Sequence, residues 1–334
     1  LNKGPLKDAL VFLDYEPNDT LDPGEPFVRS GADGSFSITG SSLYPNARTV
    51  AITDESTIDT SSGTVLAGVT LSAPATASVV SLASTLIDKS NGTITEAQLQ
   101  EILGFDPSDN IDLLNFNPFA VENEGTLARD LEVASQQLGA VLTSVAASAT
   151  AAGLSSADAF TESLSAIVTV VTNKTDSDGN VTGQVSLTDI SQNGDLDAIA
   201  DAVALKIAEK QVSDASIDAA AFTNMQTSII SGIANVNTEI DSSITTANFK
   251  SAEAAKIYSV TQVLADQATA AVTANKADKN TGNDLLSFQT LSNVIAAKTN
   301  AAPSDVDLVV DNVTLDEDAR LTVSEAISNL NIAT

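Results

Sequence analysis

The sequence contains no cysteine, no histidine and no tryptophan. Without thiols or imidazoles, the chain has no disulfide framework, thiol nucleophile, histidine base or soft-metal site. Carboxylates, hydroxyls, amides and a few lysines remain for chemistry, and their oxygens are the ligands of hard cations such as calcium. The chain also carries no Gly-x-Ser-x-Gly elbow and no phosphate-binding glycine loop. We therefore predict that the protein is not an enzyme.

Basic side chains are scarce, since Lys and Arg number 15 against 44 Asp and Glu, and the net charge is −29. Such a field repels phosphate backbones and anionic lipid, so we predict no nucleic-acid partner and no binding to membrane surfaces. The acidity does not indicate disorder, because 43% of the residues are hydrophobic and the mean hydropathy is +0.10. A chain of 334 residues is long enough for roughly two or three domains.

Residues 1–74 carry the pattern of a small antiparallel β-sandwich. Short apolar or alternating runs bounded by turn residues predict four strands, at 9–13, 35–39, 49–53 and 64–71. A domain of this size lies near the lower limit for independent stability. We therefore expect it to depend on a neighbouring segment or on a metal ion.

Residues 75–302 read as a larger helical domain rich in Ala, Ser and Thr. Apolar periodicity and capping signals predict helices at 78–87, 95–103, 126–150, 156–172, 196–211, 217–240, 247–274 and 285–298. A weak strand signal interrupts them at 183–187, and residues 303–334 predict a strand at 306–310 and a last helix at 323–330. The predicted fold is α+β, a small N-terminal antiparallel β-sandwich followed by a mainly α-helical bundle.

The stretch from Val133 to Ala157 carries no charged residue, which raises the question of a membrane span. Its two glutamines, its glycines and its repeated Ser and Thr make it much less apolar than a spanning helix requires. We predict a buried bundle helix here and no membrane span.

The most specific local signal is the twelve-residue stretch from Asp14 to Glu25. Oxygen donors fall at positions 1, 3, 5, 9 and 12 of the stretch, with a backbone carbonyl at position 7, as in calcium loops. These donors are Asp14, Glu16, Asn18, Asp22 and Glu25, with the carbonyl of Thr20. Position 6 is Asp19 instead of the usual glycine, although Asp tolerates the left-handed conformation better than most residues. The spacing predicts a Ca²⁺ site, and the alternative is a solvated acidic turn.

Two weaker candidates share part of this spacing. Asp176, Asp178 and Asn180 are spaced as the first three ligands, but no Glu follows at the required distance, which favours a plain turn. Near the C-terminus, Asp316, Asp318, Thr322 and Glu325 fit later positions of the same loop, and there we favour capping of the last helix.

Aromatic residues make up only 4% of the chain. Phe105, Phe116 and Phe119 cluster between predicted helices, where a packed plug in an irregular loop is favoured over a ligand platform. Tyr15 and Tyr44 of the β region could line a carbohydrate-binding face.

Three segments, 3–14, 22–26 and 31–40, combine a strand, an acidic loop and an Asp-Gly-aromatic hairpin. This pattern resembles the B-type β-sandwich repeats of bacterial surface adhesins of the serine-aspartate-repeat kind. The resemblance covers the first seventy or so residues and implies a calcium-stiffened stalk module. More loosely, segments 81–87 and 99–120 are similar to helical parts of very large secreted adhesins from aquatic bacteria.

These observations predict an extracellular, cell-surface protein with a structural or adhesive role, stabilised by calcium. We expect it to self-associate in a surface layer, filament or adhesin stalk. The alternative is a module of a secreted adhesin that binds a surface glycan or protein. The only methionine is Met225, so we expect the sequence to be a mature form or a segment of a longer protein.

Overall fold

The computed structural model describes residues 5–40, 43–60, 64–65, 68–109, 111–120 and 123–282. Antiparallel sheets occupy the N-terminal part and α-helices the remainder, so the predicted α+β class is confirmed. The elements predicted at 285–298, 306–310 and 323–330 lie outside the described residues.

Within the described residues, seven short strands form two antiparallel sheets. One has the order β1-β5-β6, formed by Leu6–Lys7, Ile58–Asp59 and Thr64–Val65. The other has the order β3-β2-β4-β7, formed by Phe27–Arg29, Leu10–Asp14, Arg48–Ile52 and Thr70–Ala73. The central strands β2 and β4 are rich in β-branched and aromatic residues, and Val11, Phe12 and Val50 are fully buried.

The register between β2 and β4 positions the candidate site. Leu10 lies opposite Ile52 and Phe12 opposite Val50, so the pairing ends with Asp14 opposite Arg48. An acidic and a basic residue thus meet at the end of the sheet where the loop from Asp14 begins.

Two of the four predicted strands, 9–13 and 49–53, match β2 and β4 to within one residue. The run at 64–71 is divided into β6 and β7, and Gly68 between them has a positive φ of 76°. The strand predicted at 35–39 is wrong. Its side chains alternate between half-buried and exposed, but the segment forms no ladder and the preceding turn closes at Ser35.

Seven α-helices follow the sheets in the described part of the chain. They are α1 (Leu82–Lys89), α2 (Glu96–Ile102), α3 (Thr126–Ala152), α4 (Ser156–Thr172), α5 (Asp195–Gln211), α6 (Ala219–Ser243) and α7 (Ala252–Ala277). Sequence periodicity predicts each of them, with bounds that differ by up to five residues. The largest differences are at helix starts, because side-chain caps such as Ser81 of α1 and Ser251 of α7 fix the first turn.

The strand predicted at 183–187 is also wrong. One backbone bond, from Val185 N–H to the Ile102 carbonyl, holds this segment against the end of α2. Nearby, Thr175 and Val181 form an isolated bridge around a turn. A period-two pattern of five residues is too short to distinguish a strand from an extended connection.

The chain folds as two compact units. Within the described residues, the first comprises 5–135 and 171–185, and the second comprises 136–170 and 186–282. Helix α3 contributes residues to both units. The second unit is helical, and its core includes Phe222, Tyr258 and Met225, each at most 1% exposed. Of the helices described, none combines the length and apolarity that crossing a bilayer requires.

Candidate metal centre

The predicted calcium loop leaves the end of β2 at Asp14 and returns toward β3 at Glu25. Glu25 closes the loop, because its Oε1 accepts the Tyr15 N–H at 2.6 Å and its Oε2 accepts the Asp22 N–H at 2.8 Å. Asn18 Nδ2 donates to Asp22 Oδ2 at 2.8 Å. The loop is therefore wound around its own acidic and amide side chains.

Asp19 occupies the loop position where calcium loops usually have glycine. Its φ is 60°, in the left-handed region that Asp tolerates better than most residues. Gly24 supplies a second positive φ of 102° before the chain enters β3. The sharp turn that the loop requires is thus made without glycine at its sixth position.

Asp14 is the most deeply placed of the predicted ligands, with a side chain that is 0% exposed. Its Oδ2 accepts from Arg48 Nη2 at 2.5 Å and from the Asp19 N–H at 3.1 Å. Its Oδ1 is buried and has no hydrogen-bond partner. A buried carboxylate oxygen without a partner is destabilising, so Oδ1 is the atom of this side chain at which a further ligand would act.

Five side chains, which we call the acid–base cluster, connect the loop to the sheet and to α1: Asp14, Asp19, Arg48, Asp88 and Lys89. Arg48 Nη2 lies 2.9 Å from Asp19 Oδ1, and Arg48 Nη1 lies 2.8 Å from Asp88 Oδ2. Lys89 Nζ pairs with the other carboxylate oxygen of Asp19. Three carboxylates therefore face two cations, so the cluster retains one formal negative charge.

Asp88 and Lys89 are the last two residues of α1. Asp88 Oδ2 also accepts from the hydroxyl of Ser72 in β7 at 2.5 Å. The cluster thus joins β4, β7, the loop and the C-terminal end of α1 within the first unit.

Of this cluster, the sequence predicts Asp14 as a ligand and places Asp19 in the loop, but it gives no signal for Asp88 or for the two cations, Arg48 and Lys89. They lie 34 and 70 residues away from the carboxylates that they contact, Asp14 and Asp19 respectively. The signal that could have found Arg48 is its place immediately before the strand predicted at 49–53. That signal becomes useful only when the register between β2 and β4 is known.

The predicted ligands are not gathered into one cage. Glu16 and Thr20 are exposed, and both carboxylate oxygens of Glu25 accept backbone N–H groups. Across the residues that the structure describes, no three acidic side chains are arranged as a metal-binding group. The donors are all oxygens and include the unpartnered Asp14 Oδ1, which suits calcium. The predicted ligand Asp14 is paired with Arg48, and Asp19, which is not a predicted ligand, is paired with Arg48 and Lys89.

The weaker candidate at Asp176 is a turn. Asp176 Oδ1 accepts the N–H groups of Asp178 and Asn180 at 2.9 and 2.8 Å. The hydrogen bonds from the Asn180 side chain and backbone hold the pKa of Asp176 below its ordinary value. The other candidate, with Asp316, Asp318, Thr322 and Glu325, lies outside the described residues.

The five aromatic residues named in the sequence analysis fall into two groups. Tyr15 and Tyr44 are stacked, with ring centroids 4.1 Å apart and planes 8° apart. Phe105 is buried at 7% exposure, as a packed plug requires. Phe116 and Phe119 line a cavity of about 330 Å³.

Glu96, the first residue of α2, lies close to a second carboxylate, that of Asp112. Partial burial, together with the charge of Asp112, raises the pKa of Glu96 above its ordinary value. The backbone N–H groups of Leu113 and Leu114 oppose this shift by donating to the Glu96 carboxylate. This pair involves none of the predicted calcium ligands.

Comparison with protein families, curated proteins and solved structures finds nothing that matches this chain. Arguments about function therefore start from the residues and contacts of the loop and its cluster.

Proposed function

We propose that this chain is an extracellular structural or adhesive protein whose N-terminal β region is stabilised by calcium. In this proposal, copies of the chain pack into a surface layer, a filament or an adhesin stalk. The observation that carries the proposal is the fully buried Asp14 carboxylate, which begins a loop with calcium-ligand spacing and has one oxygen without a partner.

The connections of the loop support a mechanical role. Through Arg48, the loop is tied to β4 and to Asp88 of α1, and Asp88 is tied in turn to Ser72 of β7. A load applied to the loop is therefore shared by the sheet and the first helix. Such coupling is what a stalk or a packed layer needs from a small β module.

Calcium would be held by Asp14, Glu16, Asn18, Asp22 and Glu25 with the carbonyl of Thr20, the oxygen set that the spacing selects. A bound Ca²⁺ would supply positive charge to a loop whose carboxylates repel one another. Glu25 already fixes the two ends of the loop, through Tyr15 and Asp22. The chain's own part is to supply these donors within one twelve-residue loop.

Thermal unfolding with and without calcium tests the metal part of the proposal. Millimolar CaCl₂ should raise the Tm, because a ligand that binds only the folded state stabilises it. MgCl₂ at the same concentration controls for screening. Asp22→Asn should reduce the calcium effect, and Asp176→Asn, in an isolated acidic turn, should leave it intact. An unchanged Tm in calcium would contradict the proposal.

Electron microscopy of the purified protein tests the assembly part. Ordered polymer in calcium and dispersed particles after chelation are the expected result. Particles that stay dispersed at every calcium concentration would exclude calcium-dependent self-association.

The second candidate function is recognition of a glycan or a protein by the β region. The stacked Tyr15 and Tyr44 favour it, because Tyr44 is 46% exposed and its neighbour Leu43 is 81% exposed. Exposed tyrosines beside apolar residues are common in binding surfaces. Binding of the wild type to cell-surface glycans or proteins, lost in Tyr44→Ala without a change in Tm, would support this candidate; equal binding by the two proteins would exclude it.

A further inference from the structure

We infer that the cavity beside Phe116 and Phe119 is a binding site for a small organic ammonium ion with an apolar body. The cavity has a volume of about 330 Å³, at the lower end of the range for small-molecule sites. All the residues that line it belong to the first unit. The inference is independent of the calcium loop, because the lining among the described residues includes none of the predicted calcium ligands.

The walls of the cavity are fixed by hydrogen bonds within the chain. Five segments contribute to them: 5–6, 33–36, 78–81, 116–119 and the turn 131–135 of α3. The Gly31 N–H donates to the Ser35 carbonyl at 2.8 Å, which closes the turn before Phe36. The Val79 N–H donates to the Leu114 carbonyl at 3.0 Å. A cavity held in this way is largely preformed, so a ligand loses little affinity to ordering of the protein.

The apolar part of the wall includes three phenylalanines. Phe36, Phe116 and Phe119 are each half-buried, and Val80 and Leu131 lie beside them in the lining. Phenylalanine rings pack well on an apolar body, and their faces attract cations. The segment 33–36, which forms no strand, thus supplies an aromatic side chain to the cavity.

The hydroxyl groups in the wall act as hydrogen-bond acceptors. Three of the lining serines already donate their hydroxyl hydrogens to oxygen atoms of the protein. The acceptors are Asp33 Oδ1 at 2.6 Å for Ser35, Asn115 Oδ1 at 2.7 Å for Ser78, and the Leu131 carbonyl at 2.8 Å for Ser135. The oxygens of these hydroxyls keep lone pairs only. This part of the wall therefore selects a ligand that donates hydrogen bonds.

The charged groups in the wall are all acidic. Asp33 and Glu132 line the cavity, and in the described part of the chain the lining includes no lysine or arginine. Glu132 is 1% exposed. Hydrogen bonds from the side chain and backbone of Ser35 hold the pKa of Asp33 below its ordinary value, so Asp33 is ionised at neutral pH. Such a wall attracts a cation and repels an anion.

Two carboxylates suit an ammonium group better than a metal ion. Calcium requires six to eight oxygen ligands, whereas an ammonium group has three hydrogens to donate. The phenylalanines would leave a bare metal ion without ligands on that side, but they can pack on the carbon body of an organic cation. The combination of acidic, accepting and aromatic groups therefore selects an organic ammonium ion.

Calorimetric titration of the full chain with 2-phenylethylammonium chloride tests the inference. This probe should bind, and neutral 2-phenylethanol should bind about fivefold more weakly because it lacks the charge. The anion 3-phenylpropionate should not bind. Methylammonium chloride, which has no apolar body, controls for the general attraction of cations to an acidic protein.

A pair of aspartate variants tests whether the cavity holds the charge of the probe. Asp33→Asn should weaken binding of 2-phenylethylammonium by about two- to fivefold, the range of one exposed ion pair. Asp106→Asn is the matched control, because Asp106 likewise accepts the N–H of the serine two residues later, Ser108, and is not part of the lining. Asp106→Asn should bind the probe as the wild type does.

A pair of phenylalanine variants tests the aromatic part. Phe119→Leu keeps an apolar side chain but removes the ring, and it should weaken binding about threefold or more. Phe27→Leu is the control, because Phe27 is 62% exposed and lies outside the lining. A Tm for each variant close to that of the wild type shows that the fold is retained.

Three outcomes would overturn the inference. The first is that 2-phenylethylammonium does not bind the wild type, or binds no better than methylammonium. The second is equal affinity for the ammonium probe and the alcohol, which would remove the role of charge. The third is unchanged affinity in both Asp33→Asn and Phe119→Leu, which would place the bound probe elsewhere. None of them bears on the response of the Tm to calcium.

Discussion

At the scale of single residues, Arg48 determines what the acidic loop can do. Its guanidinium joins three carboxylates, and one of them, Asp14, is fully buried. Buried carboxylates are stable only when they are paired or hydrogen-bonded. The same side chain therefore pairs the buried carboxylate and neutralises part of the charge of the loop.

Replacing Arg48 by alanine should destabilise the protein by about 3 kcal/mol, the cost of leaving a buried carboxylate without its partner. Urea unfolding of the calcium-free protein measures this loss. Lys210→Ala is the control, because Lys210 pairs with Asp158 on an exposed surface; we expect it to cost less than about 1 kcal/mol. Equal losses of unfolding free energy in the two variants would show that Arg48 stabilises the protein no more than an exposed ion pair does.

Glu96 provides a pH-dependent prediction. Since burial and the charge of Asp112 raise its pKa, the folded state binds the proton more tightly than the unfolded state does. The contribution of Glu96 to the free energy of unfolding is therefore fully present below the ordinary pKa of Glu. It is lost as the pH rises through the raised pKa of the folded state. Glu96→Gln should therefore increase the Tm at about pH 7 more than at about pH 3.5.

The control for this prediction is Glu101→Gln, at an exposed position of the same helix. A Tm difference between Glu96→Gln and the wild type that stays constant across this pH range would contradict the assignment.

The acidic residues of the loop could be predicted from the sequence because their spacing is local. Their partners could not, because Arg48 reaches Asp14 through the pairing of two strands and Lys89 reaches Asp19 through the packing of α1. Ligand spacing indicates which side chains can converge on a point. It does not indicate which cation the rest of the fold delivers to them.

At the scale of elements, the helices follow from the sequence more reliably than the strands. Helix α4 has the predicted bounds, 156–172, because its periodicity and flanking residues are all local signals. Strand β3 is missed because three residues after a proline are too few to show an alternation of apolar and polar side chains. Only its pairing with β2 makes it a strand. Segment 35–39 has the pattern of a strand but lacks a ladder partner.

The connection between α3 and α4 depends on Gly153. Its φ is +121°, and an added Cβ would lie 3.0 Å from the Ile217 Cα and 3.1 Å from the Ser216 carbonyl oxygen. Both the backbone conformation and the contact disfavour any side chain. Gly153→Ala should lower the Tm by several degrees in differential scanning calorimetry.

Gly183→Ala is the matched control, because nothing lies within 4 Å of an added Cβ there and the φ of Gly183 is not positive. We expect this substitution to leave the Tm within about 1 °C of the wild type. A similar loss in both variants would assign the effect to the general cost of losing a glycine.

At the scale of the whole molecule, the net charge of −29 is the dominant property. The acid–base cluster neutralises part of it locally, but the chain has about three acidic groups for every basic one. Such an excess favours solubility and opposes compaction through self-repulsion. Cations in the medium should therefore contribute to stability even when they bind at no specific site.

Sodium chloride tests this expectation. Raising its concentration from about 20 to about 500 mM shortens the screening length severalfold, so the Tm at pH 7 should rise. Near pH 4, close to the sequence pI of 4.1, the net charge approaches zero and the same salt should have little effect. A salt dependence equal at both pH values would contradict self-repulsion as its cause.

The burial of Met225 in α6 has a chemical consequence. It is the only sulfur-containing residue in the chain, and it is 1% exposed. Oxidants attack thiolates and exposed thioethers most readily, and the packed helices shield the one thioether present. While it stays folded, the protein offers peroxide no sulfur at its surface, so Met225 should be oxidised only after the helices around it open.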